Sequence, residues 1–590
     1  MPFEDSRRLT GSNVFFAEAG AVLDVLGPPE DESWLAAWAA RVERAAAHLD
    51  WRDMKMAMRR HRGGMLLAIT APVDQLFLAT EVNEWAACAA LAELAPDRRS
   101  LLEQALAAAA PDAKPAPVLE ETAALARFEH LQSEQSNPAF RALLNAADAR
   151  HLPASFDDTE LTLGAGAGGR TYPLGALPEP PSVPWADLFV IPTALVTGSN
   201  GKTTTVRLLA ACARAHGWRT GYNCTDGVFI DDETLASGDY SGPAGARLVM
   251  RANRAEAAIL ETARGGILRR GIAVSHAAAA VVTNISSDHF GEYGIDDLDG
   301  LADVKLSVAA ALDPLGLLVL NADDGVLRRQ AGALARRFGR APQIGWFALD
   351  DEHALLRAHR LDGGWSCGVA GGRLLLSRGG EAHDLGPIAA MPLSLGGLAA
   401  YNVANLAATA LAASALGIPA PIIAGVFARF GALARDNAGR LMRFDWGGVH
   451  VLVDYAHNPD GLRGFLTVAQ GLRSPSGRLG LLLGHAGNRQ DGDIEALARV
   501  AAEFRPDLIV VKENESQLRG RAPGEIPGII RRELQRLGLP DSAMSETGSE
   551  YEAARLALSW ARPGDVLAMP LHGLDARAAV LALLESQPGV

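Results

Sequence analysis

In the first part of the chain, some apolar residues are spaced as in a helix and others as in a strand. After Asp31, a candidate helix cap, apolar residues recur three and four positions apart, which predicts an amphipathic helix. The recurring residues are Leu35, Trp38, Val42, Ala45 and Leu49. The run GMLLAIT predicts a strand, and the residues from about Asp74 to Leu94 are predicted to form a second helix. The opening segment GSNVFFAEAGAVLDVL is typical of a short strand pair. These patterns indicate a small α/β or α+β domain over residues 1–175, with no catalytic motif.

Residues 176–192 are crowded with proline and glycine, which interrupt regular structure and predict an extended linker. Beyond it, continuous apolar runs alternate with helix-length segments. The runs are TALVT, AAILE, AAAVVTNI and GLLVLN. Fully apolar strands interleaved with helices are what a parallel sheet covered on both faces requires. Residues 193–437 are therefore predicted to form a central parallel-sheet domain.

A second series of apolar runs in residues 438–590 predicts another, Rossmann-like sheet. The runs are VHVLVDYAH, LGLLLGHAG, LIVVKEN and VLAMPLHG. Polar side chains lie at or just beyond these predicted strand ends, namely Asp454, His457, His485, Lys512 and His572. Because ligands of open α/β sheets bind outside the carboxyl ends of the strands, we expect a ligand cleft between the two sheets.

The length, charge and cysteine content of the chain limit the classes of function that it can have. The chain has 590 residues and a formal net charge of −14, which argues against a nucleic-acid partner. Its four cysteines are scattered without metal-like spacing, as expected in a reducing compartment. We find no signal-peptide pattern and no apolar run of the ~18 residues that a membrane helix needs. We therefore expect a cytoplasmic protein with no membrane partner.

The segment VTGSNGKTTT, residues 196–205, reads as a strand end, a turn and a helix start. It is a shortened form of the phosphate-binding P-loop, with Val196 where the first glycine would stand. Backbone N–H groups at such a helix start can cradle phosphate, Lys202 can neutralise the β- and γ-phosphates, and Thr203 can ligate Mg²⁺. A solvated helix start is the alternative. The predicted nucleotide-binding residues of this loop are Gly198, Ser199, Asn200, Gly201, Lys202, Thr203 and Thr204. ATP and Mg2+ are the predicted cofactors.

The spacing Gly-Ser-Asn-Gly-Lys-Thr resembles the ATP loop that Mur ligases share with folylpolyglutamate synthetases. Further matching segments follow in order over about residues 190–575, namely ETARGGILRRG, VVTNISSDHFGEYGI, VLNADD, YNVANLAA, DYAHNP and RGRAPGE. Together they are most similar to the C-terminal, Mur-ligase-like half of the cyanophycin synthetases. The segment RRLTGSNVFF resembles the opening of the N-terminal domain of those enzymes. The resemblance implies an ATP-dependent ligase that joins a carboxylate to an amine through an acyl phosphate.

The resemblance also implies catalytic and metal-binding residues. Lys202 and Thr203 would serve the phosphates, and Glu261 and His289 match magnesium ligands of the family. Lys305 matches a lysine that is carbamylated in many Mur ligases, a change that turns a cation into a magnesium-binding anion. Taken alone, Glu261 also reads as a strand-end carboxylate and His289 as a turn residue. Lys305 also reads as a solvated helix lysine.

Other positions match the nucleotide and substrate sites of the family. Asn402 and Asn405 resemble its adenine-side asparagines, and Arg440 takes the place of the arginine in its Pro-Gly-Arg motif. Asp454 resembles its ribose-contacting aspartate, and a hinge near residues 436–445 would close the site. The predicted substrate-binding residues are Arg264, His457, His485, Arg489, Lys512 and Arg519. Further candidates are Arg269 and Arg270, which follow Arg264 in ETARGGILRRG, and Asn488, Glu513 and Arg521 in predicted loops of the last domain.

The substrates are less defined than the reaction. Arginine forks suit bidentate carboxylate recognition, although a surface helix start explains any one arginine of ETARGGILRRG equally well. GHAGNRQDGDI departs from the Gly-Asp-Arg pattern expected for cyanophycin synthetases, which leaves the amine open. The leading hypothesis is a ligase that adds an amino acid to a small-molecule or peptide carboxylate.

Two alternatives to this hypothesis stay open. The chain has no room for the ATP-grasp ligase module that cyanophycin synthetases carry between the two matching parts. One alternative is therefore a nucleotide-binding scaffold for a separately encoded ATP-grasp ligase. The other is a folylpolyglutamate-synthetase-like ligase, which leaves ETARGGILRRG unexplained. A separate ATP-grasp ligase and a second copy of the chain are the candidate protein partners.

Overall fold

The computed structural model describes residues 3–28, 32–110, 116–288, 290–487, 489–513 and 517–586. His289, Asn488 and the helix cap expected at Asp31 lie outside these described residues. Within them the chain forms an eleven-stranded and a six-stranded sheet, with two smaller sheets before them. None of the helices in these ranges is long and apolar enough to cross a bilayer.

The first part of the chain is a four-stranded antiparallel sheet with helices packed against it. The strands are β1 (Phe3–Leu9), β2 (Gly20–Leu26), β3 (Met56–His61) and β4 (Gly64–Thr70). The helices are α1 (Ser33–His48), α2 (Leu76–Leu94), α3 (Arg99–Ala109), α4 (Glu121–Gln135) and α5 (Pro138–Asp148). The strand order is β1-β2-β4-β3, and the indole of the buried Trp38 donates to Asn83 at 2.9 Å. The predicted strand GMLLAIT and both predicted helices are confirmed, and the arrangement is α+β.

The strand pair predicted within GSNVFFAEAGAVLDVL is wrong in its first half. The Asn13 side chain accepts the backbone N–H groups of Phe15 at 2.9 Å and Phe16 at 3.0 Å, which folds this segment into a turn. The strand that pairs with β2 is instead β1, which lies upstream of that stretch. An asparagine side chain that binds nearby backbone donors competes with a strand ladder for the same groups.

A small antiparallel sheet follows, made of β5 (Ala154–Phe156), β6 (Glu160–Leu163) and β7 (Arg170–Pro173). Between β7 and residue 193 the chain forms short 3-10 turns and no strand or α-helix. The proline-rich sequence of this segment explains its irregular backbone, since proline lacks the N–H that a ladder or helix interior needs.

The eleven-stranded sheet is parallel at its centre, as predicted. Its strands are β8 (Thr193–Thr197), β9 (Thr220–Cys224), β10 (Gly227–Ile230), β11 (Glu233–Ser237), β12 (Ala257–Glu261), β13 (Ala277–Val282), β14 (Leu312–Asn321), β15 (Gln343–Phe347), β16 (Trp365–Ala370), β17 (Arg373–Arg378) and β18 (Glu381–Pro387). The order is β11-β10-β9-β12-β8-β13-β14-β15-β16-β17-β18. The four apolar runs predicted for this sheet correspond to β8, β12, β13 and β14.

Helices cover both faces of this sheet, and two separate hydrophobic clusters fill the space beneath them. The helices are α6 (Lys202–His216), α7 (Pro243–Arg251), α8 (Arg264–Arg270), α9 (Leu298–Leu306), α10 (Gly325–Ala331), α11 (Leu334–Phe338), α12 (Ala354–Leu361), α13 (Ala400–Ala415) and α14 (Ala420–Phe427). Antiparallel hairpins extend the sheet at both edges. Gly-Gly pairs at 371–372 and 379–380 form the turns of the second edge, a hairpin signal that strand periodicity does not carry.

The six-stranded sheet is parallel except for its first strand. Its strands are β19 (Met442–Trp446), β20 (Val449–Asp454), β21 (Leu479–Leu483), β22 (Leu508–Lys512), β23 (Met544–Thr547) and β24 (Val566–Pro570). Its helices are α15 (Pro459–Leu472), α16 (Asp491–Glu503), α17 (Glu525–Arg536), α18 (Glu550–Trp560) and α19 (Leu574–Glu585). The order β19-β20-β24-β21-β22-β23 contains all four predicted strands of this part.

Strand β1 and the loop after it dock on the C-terminal end of α8. Arg7 Nε donates to the Leu268 carbonyl at 2.7 Å, and the Thr10 N–H donates to the Arg270 carbonyl at 2.8 Å. The loop comes so close that a Cβ built on Gly11 would lie 2.0 Å from the carbonyl oxygen of Ile272. The N-terminal part is therefore held against the helix that follows β12.

A Gly11→Ala variant should loosen this docking. The added methyl group meets a backbone carbonyl that cannot rotate away, and such overpacking costs about 1–3 kcal/mol. We expect a lower thermal unfolding midpoint and faster limited proteolysis between residues 11 and 175. Gly175→Ala is the control, because a Cβ built there has nothing within 4 Å. Equal midpoints for the two variants would contradict the tight docking.

Candidate active site

Three neighbouring strands bring the predicted phosphate and metal groups together. In the order β12-β8-β13, β12 ends at Glu261, β8 runs into the P-loop, and β13 is followed by Thr283 and Asn284. The loop backbone needs glycine at two points. Gly198 has φ +144, and a Cβ there would lie 1.8 Å from the Thr283 hydroxyl; Gly201 has φ +86.

The segment after β13 forms hydrogen bonds with the P-loop on one side. The Asn200 N–H donates to the Asn284 side chain at 2.9 Å, and the Ser199 hydroxyl donates to the Ser286 carbonyl at 3.0 Å. Lys202 Nζ donates to the Gly198 and Ser199 carbonyls at 3.0 and 3.1 Å, so its ammonium lies across the loop. The arrangement places one cation and several backbone N–H groups at the start of α6, as an anion site requires.

Glu261 forms the centre of the candidate metal site. Its carboxylate accepts the Thr203 hydroxyl at 2.8 Å and the Thr225 hydroxyl at 3.3 Å, and only 1% of the residue is exposed. Burial raises the pKa of Glu261 above its ordinary value, while Lys202 and the Thr203 hydroxyl act in the opposite direction. The described residues contain no group of three or more His, Cys, Asp or Glu side chains that could hold a metal. The oxygen donors of Thr203, Thr225 and Glu261 nevertheless fit a hard cation such as Mg²⁺.

Lys305 of α9 is buried beneath the same site, with 2% of the residue exposed. Burial lowers the pKa of Lys305 well below its ordinary value, and the nearby Lys202 adds to this effect. The solvated helix lysine considered from the sequence is therefore not what the fold contains. His289, the remaining predicted metal ligand, lies outside the described residues.

A cavity of about 480 Å³ opens between the P-loop and the six-stranded sheet. Predicted residues that line it are Ser199, Asn200, Gly201, Lys202, Thr203, Thr204, Glu261, Asn402, Asn405, Arg440, Asp454 and His457. Gly198 is not part of this lining. Residues of both large sheets thus meet around one space, as the cleft hypothesis predicts.

The two asparagines of α13 support the P-loop from behind. Asn405 Nδ2 donates to Asn402 Oδ1 at 3.1 Å, and Asn402 Nδ2 donates to the Leu393 carbonyl at 3.1 Å. A Cβ at Gly201 would lie 2.3 Å from Asn405 Oδ1, so the loop packs directly on this amide. Both side chains are buried, and their contacts link α13 to the nucleotide loop.

Arg440 and Asp454 close the cavity from the C-terminal side. The Arg440 guanidinium lies 4.3 Å from the ring centroid of Tyr455, and its Nη2 is 3.5 Å from the Thr203 hydroxyl. Asp454 Oδ2 accepts the Leu441 N–H at 2.7 Å, so the carboxylate that ends β20 fixes the segment of the predicted hinge. Asn437 Nδ2 also donates to the Thr204 hydroxyl at 3.2 Å, so more than one residue of that hinge contacts the P-loop helix.

Sequence reasoning missed several residues of this cavity. Thr225 follows β9, Asp323 and Asp324 follow β14, and Tyr455 follows β20. Each stands just beyond the carboxyl end of a strand, which is the signal that could have identified them. Asp324 also caps α10, where its carboxylate accepts the Val326 N–H at 2.8 Å.

A second, larger cavity of about 1010 Å³ begins at Lys202 and Glu261 and extends toward the N-terminal sheet. Predicted residues that line it are Arg264, Arg269, Arg270, Lys305, His457, His485, Arg489 and Arg519. Asp5 and Asp24 of the N-terminal sheet also line it, as does His572 after β24. All three parts of the chain therefore contribute walls to one space beside the P-loop.

Asp288 links the central sheet to the C-terminal sheet inside this larger cavity. Arg489 Nη1 lies 3.2 Å from Asp288 Oδ1, and His457 Nε2 lies 4.0 Å from Asp288 Oδ2. Burial lowers the pKa of His457 to about 3, although Asp288 acts in the opposite direction. Burial also lowers the pKa of His485 well below its ordinary value. Both imidazoles are therefore neutral at neutral pH.

The structure does not bring Lys512 into either cavity, which corrects its predicted position among the substrate residues. Its ammonium pairs with Glu550 and donates to the Pro570 carbonyl at 2.6 Å, and 2% of the residue is exposed. Burial acts to raise the pKa of Glu550, but the charges of Lys512 and His572 and the hydrogen bonds from both residues together lower it to about 2. Lys512 therefore supplies the counter-charge that a buried carboxylate within the C-terminal part requires.

Glu513 and Arg521 are also engaged away from the cavities. Glu513 accepts the Gly524 N–H at 2.9 Å, at the start of α17. Arg521 pairs with Asp491 at 2.7 Å and with Glu525 at 2.6 Å. Both side chains order the loop before α17. Asn488 lies outside the described residues.

Comparison with known families agrees with this geometry. Residues 196–413 match the Mur ligase middle domain, and residues 439–569 match the Mur ligase glutamate ligase domain. Cyanophycin synthetase of Nostoc sp. is 36% identical over 394 residues, covering 67% of this chain and 42% of the relative. The chain thus spans about two fifths of the cyanophycin synthetase that it matches.

A second relative is matched over most of its own length. The UDP-N-acetylmuramoyl-L-alanyl-D-glutamate–2,6-diaminopimelate ligase of Alkalilimnicola ehrlichii is 31% identical, covering 61% of this chain and 72% of the relative. Among solved structures, E. coli FolC in complex with DHPP and ADP aligns with a TM-score of 0.50 and 18% identity. That alignment covers 67% of this chain and 89% of FolC, and it concerns the fold alone.

Lys512→Met should destabilise the protein rather than weaken substrate binding. Removing one partner of a buried ion pair leaves the other charge uncompensated, which costs about 3–5 kcal/mol. Urea unfolding should report this loss, while Arg463→Met, which removes an exposed pair between α15 and Glu503 of α16, should cost below about 1 kcal/mol. A stable Lys512→Met protein with a raised KM for the amine would restore this lysine to the substrate site.

Proposed function

This chain belongs to the Mur ligase family, and on that premise we propose that it is an ADP-forming ligase for a carboxylate and an amino acid. Members of the family are ATP-dependent amide ligases. The carboxylate belongs to a peptide or to a cyanophycin-like acceptor. The observation that carries the proposal is the contact of Thr203 with Glu261 at 2.8 Å beside Lys202, where the two cavities meet.

The smaller cavity is the proposed ATP site. Backbone N–H groups of residues 198–204 and the Lys202 ammonium would bind the phosphates. Arg440 and Asp454 would contact the nucleotide from the C-terminal part of the chain, and Asn402 and Asn405 from the central part. Closure of the hinge at 436–445 would bring these two sides together.

The proposed Mg²⁺ ligands are Thr203 and Glu261, with His289 and a carbamylated Lys305 as further ligands by family resemblance. The metal would neutralise charge on the γ-phosphate. The buried site lowers the pKa of Lys305, which favours the neutral amine that reacts with carbon dioxide. A carbamate would then place an anion beside Lys202, where the unmodified side chain is a neutral amine.

The two cavities suggest an order of events. The acceptor carboxylate enters through the larger cavity and attacks the γ-phosphate, which gives an acyl phosphate and ADP. Lys202 balances the charge that develops on the transferred group. The amine then attacks the acyl carbon, and phosphate leaves from the tetrahedral intermediate. Arg264, His457, His485, Arg489 and Arg519 are the proposed substrate contacts, since all five line the larger cavity.

The function is tested by product analysis of purified protein with ATP, Mg²⁺ and pairs of carboxylates and amino acids. The proposal requires that ADP and phosphate form only when both substrates are present, together with a new amide detected by mass spectrometry. AMP and pyrophosphate would refute it. ATP hydrolysis that is indifferent to every pair would favour the alternative, a nucleotide-binding scaffold that supports a separate ATP-grasp ligase.

Lys202→Ala should lower kcat by about 100-fold or more, since removing one transition-state contact of this kind costs about 2.7–4 kcal/mol. The fold should be retained, because the Lys202 ammonium donates to carbonyls of its own loop. Lys55→Ala, which removes an exposed lysine paired with Glu18, is the control and should retain parental activity. Parental turnover by Lys202→Ala would remove the P-loop from the mechanism.

A further inference from the structure

One histidine at a strand end of the C-terminal sheet has no part in the proposed reaction. His572 follows β24, and 15% of its side chain is exposed. Its Nε2 lies 3.0 Å from the carbonyl oxygen of Ala456, in the loop after β20. Because a carbonyl oxygen can only accept a hydrogen bond, Nε2 carries the proton and donates it. His572 therefore ties the loop after β24 to the loop after β20.

The buried carboxylate of Glu550, at the start of α18, fixes the backbone of this histidine. Glu550 Oε1 accepts the His572 N–H at 3.0 Å, and Glu550 Oε2 accepts the Gly573 N–H at 2.8 Å. The Lys512 ammonium pairs with the same carboxylate and supplies its counter-charge. The position of the imidazole is thus set by hydrogen bonds to its own backbone as well as by its contact with Ala456.

The imidazole of His572 is neutral at neutral pH. Burial lowers the pKa of His572 to about 4, and the Lys512 charge acts in the same direction while Glu550 acts in the opposite one. The other ring nitrogen, Nδ1, lies 3.7 Å from Glu550 Oε1, which is beyond hydrogen-bond distance. His572 therefore acts as a neutral donor to the Ala456 carbonyl.

The loop that His572 contacts lines both cavities. Tyr455 and His457 lie on either side of Ala456, and each of them lines the smaller and the larger cavity. The Tyr455 ring lies 5.3 Å from the His572 ring at 87°, which is an edge-to-face arrangement. The Arg440 guanidinium lies over the same tyrosine, 4.3 Å from its ring centroid. A shift of this loop would therefore displace the surface on which Arg440 packs.

We propose that His572 is a positioning residue of the nucleotide site, which acts through the backbone of Ala456. Holding that carbonyl keeps the Tyr455 ring beneath the Arg440 guanidinium, whose Nη2 lies 3.5 Å from the Thr203 hydroxyl. The proposal rests on the proposed function for the assignment of ATP to the smaller cavity. Loss of the donor would leave a buried carbonyl without this hydrogen bond, and the loop would then shift to recover a partner.

The test is calorimetric titration of the full chain with ADP and Mg²⁺. His572→Ala removes the donor and should weaken ADP binding by about tenfold. His572→Leu keeps a bulky side chain without a donor, so its affinity should match that of the alanine variant. In His572→Gln the side-chain amide can donate to the same carbonyl, and binding should return to within about threefold of the parent.

His359→Ala is the matched control for a general loss of stability. His359 Nε2 also lies 2.9 Å from a backbone carbonyl, that of Ile344, but His359 lines neither cavity. Its alanine variant should therefore bind ADP as the parent does. Urea unfolding of all variants identifies the concentration range in which each is folded. If His572→Ala does not fold, the comparison of the leucine and glutamine variants decides.

Parental ADP affinity in the folded variants that lack the donor would overturn the proposal, as would equal losses in His572→Leu and His572→Gln. A loss in His359→Ala as large as that in His572→Ala would also overturn it. The ligase function is judged separately, by product analysis of the parent. ADP binding that depends on His572 without amide formation would refute the ligase and support the positioning role. A parent chain that does not bind ADP would overturn both.

Discussion

A carboxylate is costly to bury, and the candidate site is organised around the one that ends β12. Glu261 is almost fully enclosed, yet two threonine hydroxyls donate to it and the Lys202 ammonium lies near. These groups offset part of the desolvation cost, as a buried charge requires. The raised pKa of Glu261 indicates that the compensation is incomplete without a further cation. A bound divalent ion would supply it.

Hydrogen bonds and ion pairs hold the two large sheets together at the P-loop. Asn458, which caps α15, donates its side-chain N–H to Asn200 at 2.9 Å, and Arg207 of α6 donates to the Ala438 carbonyl at 2.7 Å. Asp226 accepts from Arg207 at 2.6 Å and also pairs with Arg577 of α19. The nucleotide loop is thus tied to the hinge and to the last helix, so closure of the sheets and order in the loop are coupled.

Much of this arrangement follows from the sequence. Apolar runs gave all eight predicted strands of the two large sheets, because a strand buried on both faces leaves no polar positions within it. Strand-end polar residues pointed to the cleft, and the family motifs fixed the reaction class. The division into residues 1–175, 176–192, 193–437 and 438–590 stays a prediction.

Other features depend on contacts that periodicity does not encode. The turn at Asn13 is formed by one side chain, and the edge hairpins are determined by Gly-Gly pairs. Lys512 looked like a substrate residue at a strand end, but its environment depends on Glu550, which lies far along the chain.

The central claim is that the acceptor carboxylate attacks the γ-phosphate at Lys202 and Glu261. Transfer of ¹⁸O from a labelled carboxylate tests it most directly, because an acyl phosphate passes one carboxylate oxygen to the phosphate that is released. The account predicts one ¹⁸O atom in inorganic phosphate per amide formed, measured by mass spectrometry. Label recovered in AMP, or unlabelled phosphate alongside amide formation, would contradict it.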